Sequence, residues 1–231
     1  MPQSPLTRFQ NIHAGQRAVI VCNGPSLNQM DLSFLRNEIV FGMNKIHLGL
    51  DRFGFYPRYL VAVNDRVIAQ ETAALQAMTC VKFVTHRAAP LLPANPLTFH
   101  INTSHELRRR FYRDITYGVS EGHTVTHACL QIARYTGFDT VVIIGMDHRF
   151  KDQGVPNAVE HMEGPDPNHF SPSYFAGKDW EAPNLAQSEL SYQAARDVYQ
   201  NEGRQIIDAT VDGACTIFEK ADYRQVFGLQ S

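Results

Sequence analysis

The chain has 231 residues, of which 44% are hydrophobic, enough for one α/β domain or one domain with a sizeable insertion. Its 21 basic and 23 acidic residues give a net charge of −2, which excludes binding to nucleic acid or an anionic membrane through overall positive charge. The local basic cluster of Arg108, Arg109, Arg110 and Arg113 fits either a solvated helix face or a site for an anionic ligand.

Short apolar runs alternate with helical patterns along the chain. Continuous apolar runs are typical of parallel strands covered on both faces, so the sequence predicts an α/β fold: a single Rossmann-like, doubly wound, mainly parallel sheet with helices on both faces. In chain order, the predicted strands are Ala18–Cys22, Ile39–Met43, Tyr59–Val63, Val81–Thr85, Leu97–Ile101, Thr140–Met146 and Gln205–Asp208. The predicted helices are Leu32–Arg36, Arg66–Met78, His123–Thr136 and Ala186–Glu202.

The segment Lys151–Pro183 breaks this alternation. It contains five of the chain's twelve prolines and is too long for an ordinary connection, which is typical of a functional loop. Its aromatic residues argue against simple disorder. We expect one domain over residues 1–231, in which residues 151–183 form a lid.

Polar residues follow several predicted strands at their carboxyl ends, where open parallel sheets bind ligands. Asn23, Asn44 and Asn64 follow the first three strands, Asp65 is next to the third of these asparagines, and Gly145-Met146-Asp147-His148 follows a later strand. An amide side chain offers donors and an acceptor to sugar hydroxyls and phosphate oxygens. The alternative is that asparagine simply favours strand-to-turn positions.

The loop Asn23-Gly24-Pro25-Ser26-Leu27 differs from the two common phosphate-binding loops. A dinucleotide fingerprint needs G-x-G-x-x-G and a P-loop needs G-K-[ST], and neither occurs here, which disfavours handling of Mg-ATP by that route. Gly24 permits close approach of the backbone, and Ser26 offers a hydroxyl or caps the short helix that follows.

Histidines occur at three further positions near the predicted ligand edge. Gly122, His123 and Thr124 open a predicted helix, and free N–H groups at a helix start suit a phosphate. His123 and His127 also have the spacing of metal ligands, but no third ligand is evident, so we interpret His127 as structural. His148 is either close to the site or a strand-end cap.

The predicted lid places His169 among aromatic residues, with Tyr174 five residues on. A histidine on a loop over a ligand crevice is a candidate general base, and a structural or surface role is the alternative.

The four cysteines (Cys22, Cys80, Cys129 and Cys215) are dispersed, without metal-ligand spacing, and we expect free thiols in a reducing cytoplasm. The first ten residues lack the apolar segment of a signal peptide, and no run approaches the roughly 20 apolar residues that span a bilayer. Peripheral association with a membrane stays open, and the sequence gives no oligomeric state.

These residues carry a resemblance to known proteins. The stretches AVIVCNGPSL, GHTVTHACLQIARYTGF, VVIIGMDH and HFSPSYF, with Asn44 and Asn64, are similar to the bacterial α-2,3-sialyltransferases of the Campylobacter type. They are still more similar to the family that includes the core domain of motility accessory factors and the archaeal 6-hydroxymethylpterin diphosphokinases. The resemblance covers roughly Arg17 to Phe227.

The resemblance implies a Rossmann-type domain with a lid and, from the sialyltransferases, inverting transfer from a CMP-activated acidic sugar. It implies that His169 is the general base, for which Ser173 is the alternative, and that Tyr174 steadies the phosphate. The family's Thr-Ser-Gly element falls near Thr124, although valine and threonine follow here. The substrate-binding residues that the resemblance implies are Asn23, Ser26, Asn44, Asn64, Thr124, Gly145, Asp147 and Tyr174. The positions at the strand ends and at the helix start add Gly24, Asp65 and Gly122 to the predicted substrate-binding residues.

We therefore predict a glycosyltransferase that transfers a sialic, other nonulosonic or Kdo-like sugar from a CMP-linked donor to a glycan or glycoprotein. The sequence lacks the acidic Asp-x-Asp pair that would indicate an obligatory metal, and we expect no cofactor. One alternative is a pterin diphosphokinase-like enzyme that uses ATP and Mg²⁺, with Asp65 and Asp147 as candidate carboxylate ligands. The other is a nucleotide- or glycan-binding domain without catalysis.

Overall fold

We describe the protein from a computed structural model, over residues 4–104, 110–151 and 154–229. It contains an eight-stranded sheet and two short strand pairs. In chain order the strands are β1 (Arg17–Val21), β2 (Ile39–Met43), β3 (Tyr59–Ala62), β4 (Val81–Thr85), β5 (Thr98–Ile101), β6 (Thr103–Ser104), β7 (Val119–Ser120), β8 (Thr140–Ile144), β9 (Val159–Met162), β10 (Lys178–Glu181), β11 (Gln205–Asp208) and β12 (Glu219–Lys220).

The large sheet has the strand order β12-β11-β8-β1-β2-β3-β4-β5, and every neighbouring pair in it is parallel. The chain moves outward from β1 to β5 and then returns to place β8 on the other side of β1. This reversal opens a crevice beyond the carboxyl ends of β1 and β8, where doubly wound sheets bind ligands. The predicted Rossmann-like α/β fold is confirmed.

Helices cover both faces of the sheet. They are α1 (Leu50–Phe53), α2 (Asp65–Ala77), α3 (Val125–Thr136), α4 (Leu185–Asn201) and α5 (Tyr223–Phe227). Alternate residues of β1 enter two separate hydrophobic clusters: Ala18 and Ile20 pack with α3 and α4, and Val19 and Val21 pack with α2. Both faces of β1 are therefore buried, as its unbroken apolar sequence requires.

The seven predicted strands and three of the four predicted helices lie within two residues of the observed bounds. The prediction of a strand to Met146 was wrong by two residues, because Gly145 adopts a left-handed φ of 71° that ends the ladder. The predicted helix Leu32–Arg36 is instead a five-residue 3₁₀ helix, Ser33–Asn37, with no side-chain cap. So short a segment cannot repay the cost of nucleating an α-helix.

The lid segment, residues 151–183 (described from 154 onward and at 151), contains the antiparallel hairpin of β9 and β10. Its aromatic side chains are buried in the same hydrophobic cluster as α2. The backbone N–H of Phe170 also donates to the carbonyl of Asn23 at 2.9 Å, which joins the lid segment to the loop after β1. The aromatic residues that argued against disorder are thus the residues that pack this segment onto the sheet.

A buried charge network also fastens the lid segment. Lys45, completely buried after β2, donates through Nζ to the carbonyl of Tyr174 at 2.7 Å and pairs with Glu71 on α2 at 3.3 Å. Glu71 also binds Lys178 of β10 at 2.6 Å and His47 at 3.2 Å. Burial lowers the pKa of Lys45 to about 8, and Lys178 and Lys45 hold the pKa of Glu71 below its ordinary value although burial opposes its charge.

All four cysteines are free and buried. Across the described residues, the helices are too short or too polar to cross a bilayer.

Candidate active site

A cavity of about 570 Å³ opens at the carboxyl ends of β1, β2, β3 and β8. The loops after these strands form its floor, the first turns of α2, α3 and α4 form its sides, and several residues of the segment 151–183 also line it. The sheet topology creates this crevice, so its lining combines residues that follow four strands with residues that begin three helices.

Hydrogen bonds join the loop after β1 to the loop after β8, and we call this set of contacts, made by Gly24, Ser26, Gly145 and Asp147, the clasp. The carboxylate of Asp147 accepts hydrogen bonds from the hydroxyl of Ser26 at 2.7 Å and from the backbone N–H of Ser26 at 3.1 Å. The N–H of Gly24 donates to the carbonyl of Gly145 at 2.9 Å. Burial raises the pKa of Asp147, and the Ser26 hydrogen bonds oppose that rise. The clasp fixes the floor of the cavity at the point where the strand order reverses.

Two asparagines on the floor have unused acceptors. Asn23 is buried and donates through its amide nitrogen to the carbonyl of Met43 at 3.2 Å, but its Oδ1 accepts no hydrogen bond from any described residue. Within the same described part of the chain, the buried Oδ1 of Asn44 is also without a partner. Buried polar atoms without partners are costly, so a ligand that donates hydroxyl or amino hydrogens here would satisfy both atoms.

Three helices begin at the cavity, and the N-cap residue of each lines it. Asn64 caps α2, Thr124 caps α3 and Asn184 caps α4, each by accepting a hydrogen bond from a backbone N–H of its own first turn. One cap leaves other N–H groups of the first turn without a partner inside the helix. The positive ends of three helix dipoles therefore face one cavity, which suits an anionic ligand.

Strained backbone is concentrated at the same place. Six described residues other than glycine have positive φ, and four of them line the cavity: Asn44, His123, His148 and Asn157. Such conformations cost energy for residues with a side chain, and they cluster at ligand-binding and catalytic sites.

His169 is held in a defined orientation at the cavity wall. Its Nδ1 donates to the buried carboxylate of Asp166 at 2.8 Å, and its ring stacks on Tyr174 at 4.0 Å with an interplanar angle of 5°. Nε2 makes no hydrogen bond to a described residue. The carboxylate thus selects the tautomer with its lone pair on Nε2, the form that accepts a proton from a substrate hydroxyl.

Four acidic residues among the described ones line the cavity, and three of them, Asp65, Glu121 and Asp147, have cationic or hydroxyl partners. Arg87 donates to Asp65 at 2.8 Å and to Glu121 at 2.8 Å, and Ser26 occupies Asp147. Across the described residues, no group of three or more His, Cys, Asp or Glu side chains is arranged to hold a metal ion. His127 is buried and donates through Nε2 to the carbonyl of Arg110 at 2.9 Å, and burial lowers its pKa to about 4, so it is a neutral structural residue.

The comparisons with known proteins agree with this architecture. The family described as "6-hydroxymethylpterin diphosphokinase MptE-like" matches residues 1–153, about two thirds of the chain. The chain belongs to the MptE-like family. This confirms the expected relationship, and the matched region includes β1 to β8 and the clasp residue Asp147.

This MptE-like chain also shares its fold with a solved structure, that of the MAf glycosyltransferase from Magnetospirillum magneticum AMB-1. The TM-score is 0.58 at 14% identity, and the match covers 95% of this chain but only 37% of the other. The chain therefore spans a little over a third of that protein, and the likeness establishes the fold alone. No curated protein matches the chain.

The structure brings together nearly all of the residues that the sequence suggested. Ser26 is the exception, since its hydroxyl turns to Asp147 and the residue does not line the cavity. Ser173, the alternative to His169, is exposed and also lies outside the cavity lining. The predicted site residues that line the cavity are Asn23, Gly24, Asn44, Asn64, Asp65, Gly122, Thr124, Gly145, Asp147, His169 and Tyr174.

The basic cluster lies elsewhere in this MptE-like chain, as far as it is described. Arg110 and Arg113 do not line the cavity, and Arg113 pairs with Glu202 at 2.8 Å. Arg108 and Arg109 lie outside the described residues.

Two features of the site, the carboxylate of Asp166 and one face of α4, were not predicted from the sequence. Asp166, three residues before His169, had a signal in the spacing, since a carboxylate so close to a candidate base can orient it. The face of α4 formed by Asn184, Ser188 and Tyr192 also lines the cavity. Its spacing of four residues was visible, but nothing in the sequence indicated that this helix begins at the site.

Substituting Gly24 tests the clasp. A Cβ at this position would lie 1.8 Å from Oδ2 of Asp147 and 2.6 Å from the carbonyl oxygen of Gly145. We expect Gly24→Ala to lower the free energy of unfolding by about 3 kcal/mol, because Asp147 must give up its Ser26 hydrogen bonds to make room. Chemical denaturation measures this, and Gly164→Ala, where a Cβ meets nothing within 4 Å, is the matched control. Equal stability of the two variants would contradict the clasp.

Proposed function

We propose that the protein is a glycosyltransferase that moves an acidic sugar from a CMP-activated donor to a hydroxyl of a glycan or glycoprotein. The main support for this proposal is that one cavity combines a histidine oriented by a carboxylate, His169, with the N-termini of three helices. A proton acceptor and a cradle for an anionic leaving group are the two elements that such a displacement requires. The free cysteines fit the expected cytoplasmic location.

In this proposal the reaction is a direct displacement at the anomeric carbon. Nε2 of His169 takes the proton of the acceptor hydroxyl while its oxygen forms the new bond to that carbon. The bond from the anomeric carbon to the phosphate oxygen breaks, and CMP leaves with the electron pair. Attack from the face opposite the leaving group inverts the configuration. Asp166 stabilises the imidazolium that forms on His169.

The cavity floor suits the nucleoside part of the donor. The unused acceptors of Asn23 and Asn44 would receive hydrogens from sugar hydroxyls or from the amino group of cytosine. The helix N-termini would balance the charge of a single phosphate without a metal. The Tyr174 hydroxyl, whose pKa is raised by burial, stays protonated and can donate a hydrogen bond.

The family description favours a second candidate, transfer of a diphosphate from ATP to a hydroxymethylpterin. That reaction class uses Mg²⁺, for which Asp65 and Asp147 were the candidate carboxylates. The structure does not fit this role, because Arg87 already neutralises Asp65 and both oxygens of Asp147 accept hydrogen bonds from Ser26. A third candidate, a binding domain without catalysis, would bind nucleotide without turning the donor over.

Thermal denaturation with added nucleotides distinguishes the candidates. A ligand at 100 times its Kd stabilises a protein by about 2.7 kcal/mol, which raises the Tm of a chain of this size by about 5–10 °C. We expect this shift with CMP and CTP, and none with ATP and Mg²⁺. The reverse pattern would establish the diphosphokinase and contradict our proposal. CMP binding without release of CMP from CMP-sialic acid, CMP-pseudaminic acid, CMP-legionaminic acid or CMP-Kdo would indicate the binding domain.

A further inference from the structure

A second histidine on the cavity wall is paired with a carboxylate. Nε2 of His148 donates to Glu189 of α4 at 3.0 Å, and the side chain of His148 is only 6% exposed. Nδ1 makes no hydrogen bond to a described residue and is not among the buried unpaired atoms, so it remains accessible. His123 also lines the cavity, but none of the described carboxylates is paired with it. Orientation by a carboxylate therefore distinguishes His148 and His169.

His148 contacts α4 and is linked to α3, two of the three helices that begin at the cavity. Its ring packs against Tyr192 at 5.9 Å, and the hydroxyl of Tyr192 lies 3.1 Å from Oγ1 of Thr124, the N-cap of α3. Its partner Glu189 lies on α4, five residues after the N-cap Asn184. His148 thus contacts the first half of α4 directly and is linked through Tyr192 to the N-cap of α3, and it lines the same cavity as both N-caps, where free N–H groups favour an anion.

The backbone of His148 has an energetically unfavourable conformation. His148 has a φ of 55°, in the left-handed region that residues with side chains avoid. It directly follows the clasp residue Asp147, whose carboxylate turns to Ser26. The other charged or titratable groups beside it are Arg149, which is exposed, and Glu189 and Tyr192 of α4. Glu189 is the carboxylate in hydrogen-bond contact with the ring.

We propose that His148, oriented by Glu189, binds the phosphate of the nucleotide and donates a hydrogen bond to it as the sugar departs. This rests on the function proposed above. With Nε2–H given to Glu189, the protonated ring presents Nδ1–H to a phosphate oxygen. His169 takes the acceptor proton at one side of the reacting carbon, and His148 stabilises the negative charge that develops on the leaving phosphate at the other. Glu189 acts as a positioning residue.

Binding of CMP and of cytidine, which lacks the phosphate, tests this proposal by isothermal titration calorimetry. We expect wild-type protein to bind CMP more tightly than cytidine. His148→Asn should weaken CMP binding about 10- to 100-fold, the typical loss of a charged hydrogen bond, and leave cytidine binding unchanged. Asparagine is chosen because it tolerates the left-handed backbone. Glu189 is half-exposed, so Glu189→Gln does not threaten folding. This variant should also bind CMP more weakly relative to cytidine, but by a smaller factor than His148→Asn.

The control is His161→Asn. His161 is also paired with a carboxylate, Asp179 at 2.8 Å, but it is exposed on the lid hairpin and does not line the cavity. This variant should keep the wild-type ratio. An unchanged ratio in His148→Asn would overturn the role of His148 and leave the proposed function intact. Failure of wild-type protein to bind either compound would overturn both.

Discussion

Replacing His169 by alanine will lower the turnover number for sugar transfer by about 10²- to 10⁴-fold and leave nucleotide affinity nearly unchanged. General-base catalysis contributes this range, and His169 lines the cavity with its Nδ1 bonded to Asp166 and its Nε2 left without a partner among the described residues. Release of CMP from the donor in the presence of acceptor, followed by chromatography, measures kcat and KM separately. A structural role would lower stability and affinity together, which circular dichroism and nucleotide titration would detect.

Two further variants test whether the loss of activity in His169→Ala comes from the loss of the general base. Asp166→Asn should also lower kcat, because an amide no longer fixes the tautomer of His169 or stabilises its imidazolium. His161→Ala changes another carboxylate-paired histidine of the same lid segment, outside the cavity lining, and should leave kcat at the wild-type value. Turnover of His169→Ala within a few-fold of wild type would rule out His169 as the base.

Replacing Glu71 by leucine should destabilise the protein by about 3–5 kcal/mol. The change leaves Lys45 completely buried without a negative partner, and an uncompensated buried charge has a cost of this size. Because Glu71 also binds Lys178 of β10, the lid segment should lose one of its attachments to α2, while Gln70 of α2 still donates to the carbonyl of Asp179 at 2.8 Å. Urea denaturation measures the loss, and proteolysis within the lid segment should accelerate.

A double variant separates the buried charge from simple packing. Lys45→Met combined with Glu71→Leu removes both charges, so it should be more stable than Glu71→Leu alone. Lys178→Met changes the exposed partner of Glu71 and should cost less than about 1 kcal/mol. If the double variant is less stable than Glu71→Leu, the destabilisation does not come from the isolated charge of Lys45.

The sequence specified the sheet well because each parallel strand is buried on both faces. Residues Ala18, Val19, Ile20 and Val21 form an unbroken apolar run, and all four are inaccessible in the structure. The edge strand β12, Glu219–Lys220, was not predictable, since two exposed charged residues carry no apolar pattern. The lid hairpin was missed for the same reason, because Val159, Glu160, His161 and Met162 are half-buried at most.

The site was predictable where it depends on strand ends and unpredictable where it depends on tertiary packing. Asn23, Asn44 and Asn64 meet because parallel strands end at one edge of the sheet. Ser26 lies in the same loop as Asn23, yet its hydroxyl donates to Asp147. This hydrogen bond could not be predicted from the sequence because it depends on the close approach of the loop after β8. The His148–Glu189 pair joins residues 41 positions apart and requires the packing of α4 against the loop after β8.

A crystal structure of the protein with CMP tests most directly whether this cavity holds a CMP-activated donor. We expect the nucleoside against Asn23 and Asn44, with its phosphate near the starts of α3 and α4 and within hydrogen-bond distance of His148. CMP bound elsewhere on the protein, or no bound CMP at concentrations that saturate other CMP-binding proteins, would contradict this proposal.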